Sequence, residues 1–419
     1  MQYKKIDCNT YTIHTIKTDK FKNCTMEVIF RKGIKKEEIT KFNFLADMLN
    51  MSNKNYKTRR EVVLKLESLY NASFRSATSR VGNSYIINFI TSFLNPKYCE
   101  EDYLDEILDF SFDMLQNPHV KDEEFDNRTF NIERNRMEAE INSLSENAVR
   151  YALRRCMINM DENSPTSFNA SGYLSDLEKI TPSNLFATYK QLLKEFKCDI
   201  YIIGDLDMDY VIEKIGKIFT LDVVKDYTLK LYNKCEAKNK PQIVKEDSDY
   251  EQSSLIMVYS TNDLNKRERD ITIHLYNMIF GAGSLNCKLS KSLREENSLC
   301  YSCSSMYNKY DNTLIVYAGI DSSSYDLSVK LVKKAMKDMV SGKITEEEIE
   351  NNKLQLISSV KANLDMPGAI INNYLFHDLD KVPLLEERIE LIKSITKKEL
   401  IEVAKKIKLN IIYLLKEKG

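Results

Sequence analysis

The sequence predicts an α+β protein of two homologous domains, each a mostly antiparallel sheet backed by helices. Three observations carry this. The chain has 419 residues, too many for one ordinary core, so two or three domains are expected. A helix–strand unit occurs twice, as KITPSNLFATYKQLLKEFKCDIYIIGDLD near the middle and SITKKELIEVAKKIKLNIIYLLKEKG at the end. Strand-length runs rich in β-branched residues alternate with long amphipathic helical patterns.

Taken along the chain, NCTMEVIFRKG reads as a strand, and FNFLADMLN (residues 42–50) as a helix with an odd cross-section. At 100° per residue, Asn43, Ala46, Asp47 and Asn50 share one strip, while Phe42, Phe44, Leu45, Met48 and Leu49 cover the rest. Thr58-Arg59-Arg60-Glu61 is a capping box, and Val62, Val63, Leu66, Leu69 and Tyr70 then follow helical spacing. SYIINFITSFL is the next strand; a helix carrying Leu104, Ile107, Leu108 and Leu115 is stopped by Pro118.

In the first copy of the repeat Ile180-Thr181 opens the helix, Leu185 follows the Thr by four residues, and Ile200 to Ile203 form the buried strand. A charged, low-apolar stretch, Asn233 to Gln252, is the natural linker, which places the domains at 1–225 and 253–419 with 226–252 between them. SSLIMVYS and NTLIVYAGI are strands of the second half, and Thr345 with Glu348 is a second capping box. Ile395-Thr396, Leu400 and Ile411 to Leu414 close the chain as the second copy.

Composition narrows the function. Hydrophobic content of 43% with 29% charged residues is that of a globular protein. Lys plus Arg (61) nearly cancels Asp plus Glu (62), so neither nucleic acid nor anionic membrane is called for. The amino-terminal residues lack an apolar signal core, and nine cysteines are scattered singly, which makes the cytoplasm the expected compartment. The one C-x-x-C, Cys300 to Cys303, falls in an expected strand, where i and i+3 point to opposite faces, and reads as structural. Four dispersed histidines form no H-E-x-x-H or H-x-x-E-H, and there is no G-x-S-x-G elbow, P-loop or dinucleotide fingerprint. The Gly281-Ala282-Gly283-Ser284 run follows a helix rather than a strand, which argues against a phosphate loop.

Several segments together resemble the insulinase/pitrilysin metallopeptidases, the inverzincins named for H-x-x-E-H. They are GYLSDLEKIT, IIGDL, IFGAGSLNCKLSKSLREENSLCYS and ITEEEIENNKLQL, besides the two-domain repeat. The resemblance implies the LuxS/peptidase-like fold and places the motif on the early helix, where NFLADML stands for the family's H-F-L-E-H-M-L. Asn43 then matches the first His, Ala46 the Glu and Asp47 the second His. An amide oxygen is a weak zinc ligand and a methyl group is no general base. The third ligand is a later Glu in E-x6-E, a pattern that Glu133 and Glu140 supply; two solvated glutamates on a charged helix explain them equally.

The resemblance further implies substrate-binding roles for Arg294 and Tyr301, at the R-x6-Y spacing with which active relatives touch peptide, and for Gly281 and Gly283 in the glycine-rich segment. A helix-terminating turn explains those glycines as well. Small members of the family build a clamshell chamber from two subunits. The expectation is thus a non-catalytic subunit that helps process peptides, with zinc in a paralogous partner that keeps H-x-x-E-H. The bacterial branch associated with elongation factor P modification is the most similar, and accessory peptidases that process bacteriocin precursors are also alike. A homodimeric peptide-binding scaffold, or a divergent metallopeptidase using Asp47 and Glu140, are the alternatives.

Overall fold

The computed structural model describes residues 1–222, 229–283 and 286–418. The chain divides into two compact units, Met1–Ser143 with Asn169–Leu231, and Leu144–Phe168 with Tyr232–Gly419.

The first unit is built on strands β1 (Gln2–Asp7), β2 (Tyr11–Lys17), β3 (Asn23–Gly33), β4 (Ser73–Val81) and β5 (Ser84–Leu94), a small hairpin of β6 (Val120–Lys121) and β7 (Glu124–Phe125), and β8 (Lys197–Gly204). The six-stranded sheet runs β1-β2-β8-β3-β5-β4. Only β2 and β8 pair in parallel within it. Its helices are α1 (Ile39–Met51), α2 (Arg59–Ser68), α3 (Leu104–Gln116) and α4 (Asn127–Ser143), then, beyond α5 (Ala148–Met160), α6 (Leu174–Leu177), α7 (Pro182–Glu195) and α8 (Met208–Ile218). The strands expected from NCTMEVIFRKG and SYIINFITSFL are β3 and β5 to the residue. Aromatic packing ties α1 to its surroundings: Phe42 meets Phe196 edge-on at 4.8 Å and Phe44 meets Phe130 of α4 at 4.8 Å.

The second unit holds β9 (Gln242–Asp247), β10 (Ser253–Ser260), β11 (Cys300–Asn308), β12 (Thr313–Ile320) and β13 (Lys408–Lys416), in the order β11-β12-β10-β13-β9. Again one pair is parallel, β13 with β9. The order β2-β8-β3-β5-β4 of the first sheet is thus repeated as β9-β13-β10-β12-β11. Both copies of the repeat start on a full capping box, Thr181 with Asn184 on α7 and Thr396 with Glu399 on the last helix, Lys397–Lys406.

Two expectations about the boundary change. The stretch 233–252 is no bare linker, because β9 lies in it as the counterpart of β2, and the Asn233 amide donates to Asp311 at 2.6 Å. The expected boundary at 225/226 itself lies outside the described residues. Nor is the first domain one continuous stretch, since residues 144–168 belong to the second unit. There Ala152, Cys156 and Met157 of α5 pack on Ile256, Val258, Ile315, Ile411, Tyr413 and Leu415. The opposite face of that sheet carries the larger core, which includes Leu255, Met257, Leu314, Val316, Ile412 and Leu414. A sheet apolar on both faces requires a layer on each, and the chain reaches back to supply one.

β11 is also irregular. Its register to β12 shifts between Cys300 and Cys303, so the expected placement of this pair on opposite faces does not hold.

Candidate functional site

The strip on α1 is assembled as the helical period demands. The helix is buried nearly all round, with Asn43 and Ala46 inside and Asp47 partly open, its side chain 31% exposed. Asn43 is fully engaged: its Nδ2 donates to the Ala170 carbonyl at 2.7 Å, and its Oδ1 accepts from the Tyr85 hydroxyl at 2.5 Å. The loop that offers Ala170 is pinned to the same helix. Tyr173 N donates to Thr40 Oγ1 at 3.0 Å, and Gly172 sits at φ +93 with Thr40 where a Cβ would go.

Helix α4 brings the two glutamates. Glu133 is almost wholly buried, its side chain 3% exposed, whereas Glu140 is half exposed. Between them stands a residue that the motif does not mention, Arg136. Its guanidinium lies 2.6 Å from Asp47 Oδ2, 2.7 Å from Glu133 Oε2 and 3.7 Å from Glu140 Oε2. Ser171 Oγ also donates to Glu140 Oε1, at 3.2 Å. Three carboxylates from two helices therefore converge on one cation, and that cation is a side chain.

The electrostatics follow. Burial lifts the Asp47 carboxyl to about 6, opposed by Arg136 and reinforced by the charges of Glu133 and Glu140. Arg136 itself is held more firmly charged; burial works against this, and Glu133, Asp47 and Glu140 outweigh it.

These donors do not fit a zinc ion. Asn43 has both amide atoms committed, Ala46 has no atom to activate water, and Asp47 and Glu133 already neutralise a guanidinium. A metal at Asp47 would have to expel Arg136 or sit beside its positive charge.

The second set of expected residues lies in the other unit. Arg294 closes a helical turn, Ser290–Glu295, with its side chain partly exposed and its Nε 3.6 Å from Glu295 Oε1. Tyr301, on the sheet-edge strand β11, is 89% exposed. Gly281 and Gly283 have a steric reason: a Cβ would come within 2.5 Å of Ser305 Oγ at the first and of the Met278 carbonyl at the second. Ser284 of the same run lies outside the described residues.

Sequence reasoning missed Arg136, Tyr85 and the Ala170 carbonyl. For Arg136 there was a partial signal, because it stands three residues after Glu133 and four before Glu140, on one helix face. Nothing local points from Arg136 to Asp47, or from Tyr85 to Asn43.

The duplicated sheet-and-helix fold thus carries, on its early helix, a polar strip without imidazole. Residues 179–356 match the family described as the Peptidase M16 inactive domain. The chain is 24% identical over 417 residues to a Bacillus subtilis (strain 168) protein named "Probable inactive metalloprotease YmfF", covering 97% of this chain and 95% of that one. Its fold is shared by a conserved protein from Enterococcus faecalis V583, with a TM-score of 0.93, 24% identity and coverage of 100% and 99% of the two chains. It is shared as well by a peptidase M16 inactive domain from Pseudomonas fluorescens, with a TM-score of 0.79, 15% identity and coverage of 100% and 99%. Over nearly its whole length the chain is thus similar to a protein named as a probable inactive metalloprotease, and over residues 179–356 to the M16 inactive domain.

Proposed function

We propose that this chain is the non-catalytic subunit of a heterodimeric zinc peptidase of the cytoplasm. It pairs with a paralogue that keeps H-x-x-E-H and the zinc, and the two enclose a chamber in which peptides are bound and processed. The observation that carries the reading is a contrast: the residues at the metal strip are tied to one another and to Arg136, while Tyr301 is left almost fully exposed. A tyrosine hydroxyl has little reason to stand free on a strand unless something docks there. In this role Tyr301 donates to a peptide carbonyl oxygen and Arg294 offers its guanidinium fork to another. Gly281 and Gly283 shape the turn beside them. Among the described residues no helix is long and apolar enough to cross a membrane.

The test is co-expression with an H-x-x-E-H paralogue. A stable heterodimer with zinc-dependent peptidase activity is expected, and Tyr301→Phe lowers kcat about 10²-fold, the usual cost of one lost transition-state donor. A self-sufficient homodimer that ignores the paralogue, or full activity in both Tyr301→Phe and Arg294→Ala, refutes the proposal.

A further inference from the structure

The single C-x-x-C of the chain falls where the strand geometry is broken. Along β11, Asn308 faces Thr313 and Cys303 faces Ala318, but Cys300 faces Ile320, so Tyr301 and Ser302 together oppose Gly319 alone. This is a β-bulge, with one extra residue on the edge strand.

The bulge changes what the two thiols can do. In a regular strand i and i+3 point to opposite faces with Cα atoms about 10 Å apart. Here Cys300 and Cys303 stand opposite two residues of β12 that are themselves two apart, and hence on one face. The spacing falls to about two strand residues, roughly 6.6 Å, inside the span of about 4.4–6.8 Å that a disulfide bridges. Cys300 is in the core, whereas Cys303 packs against it and keeps partial access to solvent.

We propose that Cys300 and Cys303 form a reversible thiol–disulfide couple, oxidised by low-molecular-weight disulfides of the glutathione class. Cys303 is the attacking thiol. It is the more open of the two, and the neighbouring Cys300 thiol lowers its pKa against the effect of burial; Ser290, whose Oγ lies 3.9 Å from its sulfur, and the charge of Arg294 act in the same direction. Cys300 is held up by its Cys303 neighbour and by burial. The Cys303 thiolate attacks one sulfur of RSSR, forming a mixed disulfide and expelling RS⁻, which takes up a proton. Cys300 then loses its proton and displaces the second RS⁻ from Cys303. Two protein thiols and RSSR become one intramolecular disulfide and two RSH, with both thiol protons carried by the products. The couple does not depend on the peptidase-subunit reading. Its consequence is local, because closing the bridge fixes the bulge that carries Tyr301.

The experiment exposes the purified full chain to graded ratios of oxidised to reduced glutathione, alkylates the remaining thiols and maps every cysteine by peptide mass. Cys300 and Cys303 are expected to disappear together as one disulfide, ahead of the partly exposed Cys8 and Cys99. In C300S a glutathione adduct accumulates on Cys303, and in C303S Cys300 stays free to be alkylated. Serine is nearly isosteric with cysteine, and the wild-type measurement needs no variant. The proposal is overturned if both thiols remain alkylatable at a ratio that oxidises the free peptide Cys-Tyr-Ser-Cys. An adduct on Cys300 in C303S overturns the choice of Cys303 as the attacking thiol.

Discussion

Arg136 is the positive centre of the α1–α4 cluster, with chemical consequences that a metal ion would not have. A guanidinium is permanently charged and donates hydrogen bonds, yet it cannot polarise a water molecule toward hydroxide. Removing it leaves Glu133 buried and Asp47 half-buried without their cation, and because half of Arg136 is in water the cost of Arg136→Met is about 1–3 kcal/mol. Urea unfolding of the variant beside wild type measures it. Asp47 makes a prediction about pH. Its carboxyl titrates at about 6 in the folded chain and near 3.9 unfolded, so between these values the native state holds the extra proton. Its contribution to stability is complete below about pH 4 and is lost as pH rises through about 6. Wild type should therefore lose stability relative to Asp47→Asn, which does not titrate, as pH rises across that window. A difference that stays flat would mean that Arg136 fully offsets the burial of Asp47.

Individual elements contain burdens that periodicity does not reveal. Strands β2, β3 and β8 bury His14, Arg31 and Asp199 together, with Arg31 Nε 2.7 Å from Asp199 Oδ2 and His14 Nε2 3.6 Å from Oδ1. Burial alone would raise the Asp199 carboxyl, but His14 and Arg31 hold it down at about 2. That stabilisation is present above about pH 4 and is lost as pH falls through about 2. Breaking this pair from one side is costly: Arg31→Met should destabilise by about 3–5 kcal/mol, and Arg31→Met with Asp199→Asn by clearly less, since the stranded charge is then gone. Equal losses in the single and double variants would show that packing of the Arg31 stem, rather than its charge, matters. A strand reading sees in β3 an apolar run ending in Arg31-Lys32-Gly33, and the partner of that arginine lies 168 residues away.

At the scale of the molecule the division of the chain matters most. The second sheet has apolar side chains on both faces, and α5, from the middle of the sequence, covers one of them. A fragment of residues 232–419 would expose Ile256, Val258, Ile315, Ile411 and Leu415 to water. It should aggregate or bind a hydrophobic dye, and a peptide of residues 144–168 added in trans should reverse this. A monomeric, cooperatively folding fragment without that peptide would show that α5 is dispensable to the unit. The duplication was readable because each half must solve the same problem, a capped helix returning a buried strand to the sheet centre, with the same residues at Thr181, Leu185, Thr396 and Leu400. The exchange of α5 was not, because an amphipathic helix does not encode which sheet it will cover.

By itself the sequence determined the local chemistry and the class. Helical period put Asn43, Ala46 and Asp47 on one strip, and side-chain identity left that strip without imidazole. Alternation and run length located β3, β5, β10 and β12. Only the tertiary structure decided which cation stands beside Asp47, which sheet α5 covers, and that Cys300 and Cys303 share a face. The reason is physical: periodicity fixes which way a side chain points from its own helix or strand, whereas a salt bridge between two helices and a bulge in a ladder depend on a partner far away in the chain.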